Sequence, residues 1–69
     1  MKYSSRNVLK GTIKSLVVGA VNAEVIIEVA PGVEVVSVIT KASSERLELA
    51  VGKEVSALVK ASNIILAVE

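Results

Sequence analysis

Hydrophobic and polar residues alternate along most of the chain, and alternation with a period of two is typical of a β-strand with one buried face. Two such segments, Asn7–Val18 and Asn22–Ala30, are separated by Gly19, which favours a turn. A third segment, Val33–Thr40, follows the turn pair Pro31-Gly32. The second and third segments are therefore predicted to form a hairpin.

The second half of the chain predicts a short helix and two further strands. Residues 41–49 lack the alternation, and a helix of about two turns fits them, with Thr40 or Ser43 as its N-cap. Residues 53–60 alternate again and predict a fourth strand. Residues 64–68 are almost entirely apolar and predict a fifth strand that cannot be assigned to one face.

The order of these elements predicts an all-β fold. Five strands with one short helix between the third and the fourth is the order of an OB-fold, a partly open five-stranded barrel. Gly11, inside the first strand, favours the bulge or sharp bend that a small barrel needs. An SH3-like barrel is the nearest alternative. Residues 1–69 are predicted to form a single domain, because the chain is too short for two.

A chain of this length needs a stabilising device beyond a monomer core. A domain of about 60 residues buries only about 60% of the surface that its unfolded chain exposes. Disulfides and the common zinc and haem sites are excluded, because the chain has no cysteine and no histidine. Hydrophobic residues nevertheless make up 52% of the chain. We therefore expect a homo-oligomer with apolar subunit interfaces, and a very apolar monomeric barrel is the alternative.

Composition argues against several classes of function. OB domains that bind nucleic acid use a basic groove and aromatic side chains on which the bases stack. This chain has a net charge of +1 and a single aromatic residue, Tyr3, so nucleic-acid binding is disfavoured. No nucleophile or orienting group accompanies the glutamates, so we expect neither an enzyme nor an organic cofactor. A cation-binding loop of the calcium type is also absent. We expect a cytoplasmic protein without membrane partners, because no membrane-span or signal-peptide pattern occurs.

Three clusters of anion-binding donors remain, and none contains a carboxylate. They lie where the first strand begins, where the helix begins and where the fourth strand ends: Ser4, Ser5, Arg6 and Asn7; Thr40 and Ser43; Lys60, Ala61, Ser62 and Asn63. A tetrahedral dianion requires hydroxyls, backbone N–H groups and one or two cations, and a helix N-terminus adds a favourable dipole. Each cluster also has an ordinary explanation, as a polar terminus, a helix cap or a turn.

Four segments of the chain match the pattern of one known family in the same order. They are SSRNVLKG from Ser4, GAVNAEV from Gly19, ITKAS from Ile39 and VKAS from Val59. By these segments, which span nearly the whole chain, the protein resembles the molbindins, the Mop-type molybdate-binding domains. The resemblance implies an OB-fold whose subunits assemble into hexamers. It also implies that molybdate, and often tungstate, is bound between subunits for intracellular storage or buffering.

The resemblance implies a ligand set that is drawn from two subunits. Ser4, Arg6, Lys60 and Ala61 would come from one subunit, and Thr40 and Ser43 from its neighbour. Arg6 and Lys60 would balance the double charge of the anion, while the hydroxyls and the Ala61 N–H would set tetrahedral geometry. Further candidates are Ser5, Asn7 and Ser62 beside the first set, and Val21 and Asn22 for a second class of site.

Two positions depart from the family pattern. Ser5 stands where the family usually has Ala, and it adds a hydroxyl beside the expected ligands. Glu48 stands where many members have Gly, and a non-glycine residue with left-handed backbone costs roughly 1–2 kcal/mol. The alternative function, from a different class, is an oligomerisation or regulatory OB-type module without a working oxyanion site.

Overall fold

The computed structural model describes residues 1–69 and shows an all-β fold. Four strands, β1 (Asn7–Val18), β2 (Asn22–Ala30), β3 (Val33–Thr40) and β4 (Glu54–Val59), form one antiparallel sheet in the order β3-β2-β1-β4. A helix, α1 (Lys41–Arg46), joins β3 to β4, and a 3-10 turn (Ala61–Asn63) follows β4. The element order confirms the predicted OB-like barrel, although α1 is shorter than the two turns expected.

At Gly11, β1 passes very close to β2. A Cβ at Gly11 would lie 2.5 Å from the carbonyl oxygen of Glu28 and 2.7 Å from Cγ2 of Ile27. Only glycine therefore lets β1 and β2 approach this closely. Beyond it, the register of the two strands shifts between Ile13 and Ser15, and such a bulge increases the local twist.

A small aliphatic core lies on the concave face of the sheet. Ile13, Val25 and Ile27 form its buried centre. Partly buried residues that pack against this centre are Leu16, Val29, Val35, Ile39, Leu49, Val55 and Ala57. An apolar groove of about 320 Å³ remains open beside the core, between β3 and β4. The barrel of a single chain is therefore incompletely filled.

The predicted fifth strand does not form in the isolated chain. Residues 64–69 pair with no strand, and the side chains of Ile65, Leu66 and Val68 are 93%, 88% and 97% exposed. The apolar pattern is typical of a buried strand, but a strand also needs a partner with free N–H and C=O groups. In the single chain, residues 64–69 have no such partner.

Lys14 is the unpaired residue at the bulge, and it links two carboxylates. Its Nζ lies 2.7 Å from Oε2 of Glu34 and 3.6 Å from Oε2 of Glu28. The two glutamates face each other across the β2–β3 hairpin, where like charges would repel. The hydrogen bond to Glu34, helped by the attraction of both carboxylates, raises the pKa of Lys14 above its ordinary value. The lysine thus neutralises a repulsion within the hairpin.

The turn after α1 contains the one non-glycine residue with left-handed backbone. Glu48 has a φ of 54°. Glycine adopts such a left-handed backbone more easily than other residues, which accounts for the glycine that many family members have at this position. Lys53 steadies the turn, because its Nζ donates to the carbonyls of Leu47 at 2.8 Å and Glu48 at 3.1 Å.

Replacing Glu48 with glycine is expected to stabilise the protein. The Glu48→Gly variant relieves the left-handed strain, and the free energy of unfolding should rise by about 1 kcal/mol in urea titrations. Glu45→Gly is the matched control, because Glu45 lies in α1 and its replacement should destabilise by roughly 0.5–1 kcal/mol. A Glu48→Gly variant no more stable than the parent would show that the turn holds no such strain.

Candidate functional site

The start of β1 and the end of β4 lie side by side. Asn7 pairs with Val59 at the last step of their antiparallel ladder, so Arg6 and Lys60 each lie one residue beyond that pair. We call Ser4, Arg6, Lys60 and Ala61 the first donor group, and all four are exposed. The sheet thus brings together two of the three predicted clusters, which are far apart in the sequence.

The first donor group offers hydrogen-bond donors and positive charge without a nearby negative charge. All ion pairs of the structure belong to Lys14, so neither Arg6 nor Lys60 is paired with a carboxylate. Lys60 has extended backbone, with φ −64° and ψ 129°, and directly precedes the 3-10 turn. The first N–H groups of such a turn, here those of Ala61 and Ser62, have no carbonyl partner within it. Two cations and free N–H groups are therefore available to an anion.

Ser5 and Asn7 are engaged with the backbone of β4. The Ser5 hydroxyl lies 3.1 Å from the carbonyl oxygens of both Asn7 and Val59, and accepts from the Asn7 N–H at 3.3 Å. The side-chain amide of Asn7 donates to the same Val59 carbonyl at 3.2 Å. We call these bonds the Val59 clasp. They direct both side chains towards the protein backbone instead of presenting them to a ligand.

The third predicted cluster begins α1. Of the two predicted N-cap positions, Thr40 and Ser43, the structure has Thr40. Its Oγ1 accepts from the Ser43 N–H at 3.0 Å and donates to Ser43 Oγ at 2.8 Å. In this arrangement the Ser43 hydroxyl keeps its own proton for an outside acceptor. We call Thr40 and Ser43 the second donor group. The turn that carries Val21 and Asn22 adjoins it, because Asn22 pairs with Thr40 and the Val21 carbonyl accepts from Lys41 N–H at 2.7 Å.

The two donor groups lie at opposite ends of β1. The first adjoins Asn7, whereas the second is connected to Val18 through the starting residues of β2. A strand rises about 3.3 Å per residue, so β1 alone separates its ends by on the order of 30 Å. No hydrogen bond or ion pair joins the two groups. One chain therefore presents two separate halves of the predicted ligand set.

Sequence reasoning missed Val59. Its carbonyl accepts from both Ser5 and Asn7, but a backbone acceptor leaves no trace in a pattern of side chains. The available signal is the spacing of Ser5 and Asn7, which places two short polar side chains on the same side of an extended segment.

The N-cap at Thr40 is expected to contribute measurably to stability. A Thr40→Val variant keeps the side-chain shape but loses the bond to the Ser43 N–H, and should lower the free energy of unfolding by about 1 kcal/mol. Thr12→Val is the matched control, because Thr12 is exposed in β1 and caps no helix. Equal stability of the two variants in thermal unfolding would contradict a capping role.

Comparison with known proteins places this OB-like barrel in a defined class. The family model of the TOBE domain matches residues 3–66, and the chain belongs to the TOBE domain family. Within it, the chain belongs to the Mop-type members, the molbindins. A probable molybdenum-pterin-binding protein of Haemophilus influenzae is 42% identical over 69 residues, which is 100% of both chains. The resemblance derived from the four sequence segments is thus confirmed.

Some relatives contain this unit as part of a longer chain. The molybdenum transport protein ModE of Azotobacter vinelandii is 52% identical over 69 residues, 100% of this chain, but the chain spans 26% of that relative. The chain thus covers about a quarter of one of its curated relatives and the whole of another.

Solved structures confirm the fold. A molybdate-binding protein from Sporomusa ovata superposes with a TM-score of 0.89 at 40% identity, over 97% of this chain and 98% of that one. The cytoplasmic molybdate-binding protein ModG, in a form with molybdate bound, superposes with a TM-score of 0.94 at 45% identity, over 100% of this chain and 49% of that one. No helix of the present structure is long and apolar enough to cross a membrane.

Proposed function

We propose that this protein binds molybdate, and also tungstate, between the subunits of a homo-oligomer, and that it stores or buffers the anion in the cytoplasm. The observation that carries the proposal is the division of the donor residues into two halves at opposite ends of one chain. Molybdate binding by the structural relatives supports the choice of anion. The proposed role is binding without catalysis, and its partners are the oxyanion and further copies of the chain, not nucleic acid or a membrane.

The chemistry of the first donor group favours a dianion. Arg6 and Lys60 together carry two positive charges, and no carboxylate competes for them. Hydrogen bonds from charged donors are roughly twice as strong as neutral ones. The Ser4 hydroxyl and the Ala61 N–H add directional donors beside the two cations. Tungstate has the same charge and shape as molybdate, so the same donors would hold it.

The second donor group completes the ligand set only when it comes from another copy. Thr40 and Ser43 form one side of a site that Arg6 of the same chain does not reach. In a two-fold pair, the first donor group of each copy would meet the second donor group of the other. Such a pair holds two equivalent sites.

Exposed apolar surface supports assembly. The tail, residues 64–69, carries three almost fully exposed aliphatic side chains, and the groove beside the core is lined mainly by hydrophobic residues. An added strand can pair with a free sheet edge while its side chains fill an apolar groove. We infer that the tail of one copy occupies the groove of another and supplies the strand that the single chain lacks.

A hexamer is the proposed assembly. Most hexamers of closed symmetry need a second type of interface besides the one that forms the pair. The convex face of the sheet offers one, because Val17, Val36 and Val38 are exposed there at 62%, 63% and 65%. The mass of the protein in solution tests this, and a monomeric mass at micromolar concentration would contradict both interfaces.

Removing both cations is expected to abolish binding. The double variant Arg6→Ala, Lys60→Ala should show no molybdate or tungstate binding in isothermal titration while its circular dichroism spectrum stays unchanged. The matched control is Lys10→Ala, Arg46→Ala, which lowers the net charge equally at exposed positions outside the site. Because long-range attraction depends on net charge, equal losses in both variants would show that the two cations are not ligands.

Mixing two inactive variants tests whether the site lies between chains. One variant, Arg6→Ala with Lys60→Ala, lacks the first donor group, and the other, Thr40→Val with Ser43→Ala, lacks the second. Neither should bind molybdate alone. After joint refolding, each mixed pair contains one site with both groups intact, so about a quarter of the parent's sites should return. No recovery in a mixture that forms mixed oligomers would place the whole site within one chain.

The second candidate function is an oligomerisation or regulatory module without a working oxyanion site. The observation that favours it is that the same unit forms about a quarter of the longer ModE relative. Isothermal titration separates the two functions. A folded oligomer that gives no heat with molybdate, tungstate or sulfate would support the module.

A further inference from the structure

The arm that precedes β1 carries two members of the first donor group, Ser4 and Arg6, but residues 1–5 form no secondary structure of their own. The side-chain hydrogen bonds that tie this arm to β4 are those of the Val59 clasp. Ser5 and Asn7 both donate to the Val59 carbonyl, at 3.1 Å and 3.2 Å. The geometry of the first donor group thus depends on two side chains that are not themselves directed at the anion.

We propose that Ser5 is a positioning residue of the oxyanion site, which holds Arg6 beside Lys60 before the anion arrives. The proposal rests on the proposed oxyanion-binding function. Ser5 is half-buried. Its oxygen accepts from the Asn7 N–H, and its single proton is shared between the carbonyls of Asn7 and Val59, each 3.1 Å away. The hydroxyl therefore acts on the anion through the arm and not by contact.

The clasp opposes a repulsion that the site itself creates. Arg6 and Lys60 lie just beyond the Asn7–Val59 pair on neighbouring strands, and neither has a carboxylate partner. Like charges opposite each other on adjacent strands destabilise the pairing. In the anion-free protein such a repulsion would favour separation of the arm from β4, and the bonds to the Val59 carbonyl lie at the point where separation would begin.

The expected effect on affinity follows from the fraction of molecules whose arm is in place. The apparent Kd rises by the inverse of the binding-competent fraction, and loss of one neutral hydrogen bond shifts such an equilibrium by roughly twofold to tenfold. Ser5→Ala should therefore raise the Kd for molybdate by up to about tenfold, the limit that applies when the arm of the variant is mostly out of place. Ser5→Thr keeps the hydroxyl and should restore the parent's Kd. Ser15→Ala, at a half-buried serine of β1 outside the clasp, should leave it unchanged.

Amide hydrogen exchange supplies a readout that a purely structural role would not give. In the anion-free oligomer, Ser5→Ala should speed exchange in residues 3–7 and leave β2 and β3 unchanged. Saturating molybdate should restore protection of the arm, because the anion then bridges Arg6 and Lys60. Faster exchange throughout the sheet would mean that Ser5 acts on overall stability, and would overturn the positioning role.

Other outcomes distinguish failure of the positioning role of Ser5 from failure of the proposed oxyanion-binding function. If the parent binds molybdate and Ser5→Ala binds it equally well, the positioning role is wrong and the site stands. A loss towards about 100-fold, the range for a hydrogen bond to a charged group, with unchanged arm exchange would make Ser5 a direct ligand and overturn the proposal. If the parent binds neither molybdate nor tungstate, the proposed function and the positioning role fail together.

Discussion

The close approach of β1 to β2 at Gly11 is the contact on which the rest of the molecule depends. A side chain there would overlap the Glu28 carbonyl, so the absence of a Cβ permits the two strands to come this close. Two residues further along β1, Ile13 pairs with Ile27 and joins Val25 and Ile27 in the buried core. A flat sheet would leave that aliphatic face in water, at a cost of about 25 cal/mol per Å² of apolar surface.

The two donor groups are separated by the same central strand. Because β1 pairs with β4 at its beginning and with β2 at its end, the cations gather at one end and the hydroxyls of Thr40 and Ser43 at the other. Because the length of β1 lies between the two groups, one chain does not bring them together. Binding and assembly are therefore linked in the proposed mechanism: an anion held between copies stabilises the assembled state over the separate chains.

The exposed apolar surface of the single chain also favours assembly. Four hydrophobic residues are buried, whereas sixteen large hydrophobic side chains are exposed, so most of the apolar surface remains without a partner. Apolar surface such as the open groove beside the core marks interaction sites in soluble proteins. In the proposed assembly, the tail and the groove supply the stabilising apolar contacts, and the strand ends supply the ligands of the anion. The donor residues therefore remain exposed and free of competing carboxylates.

The sequence by itself determined the local features: four strands within a residue or so of their observed bounds, a helix cap at Thr40 or Ser43, the departure from the family glycine at Glu48, and the family. These depend on alternation and on the conformational preferences of single residues, which act over a few positions. Tertiary structure alone decided that residues 64–69 lack a strand partner, that Val59 holds Ser5 and Asn7, and that the donor groups lie apart. Each of these depends on pairing between segments distant in the chain, and a one-dimensional pattern does not encode which backbone groups remain free to pair.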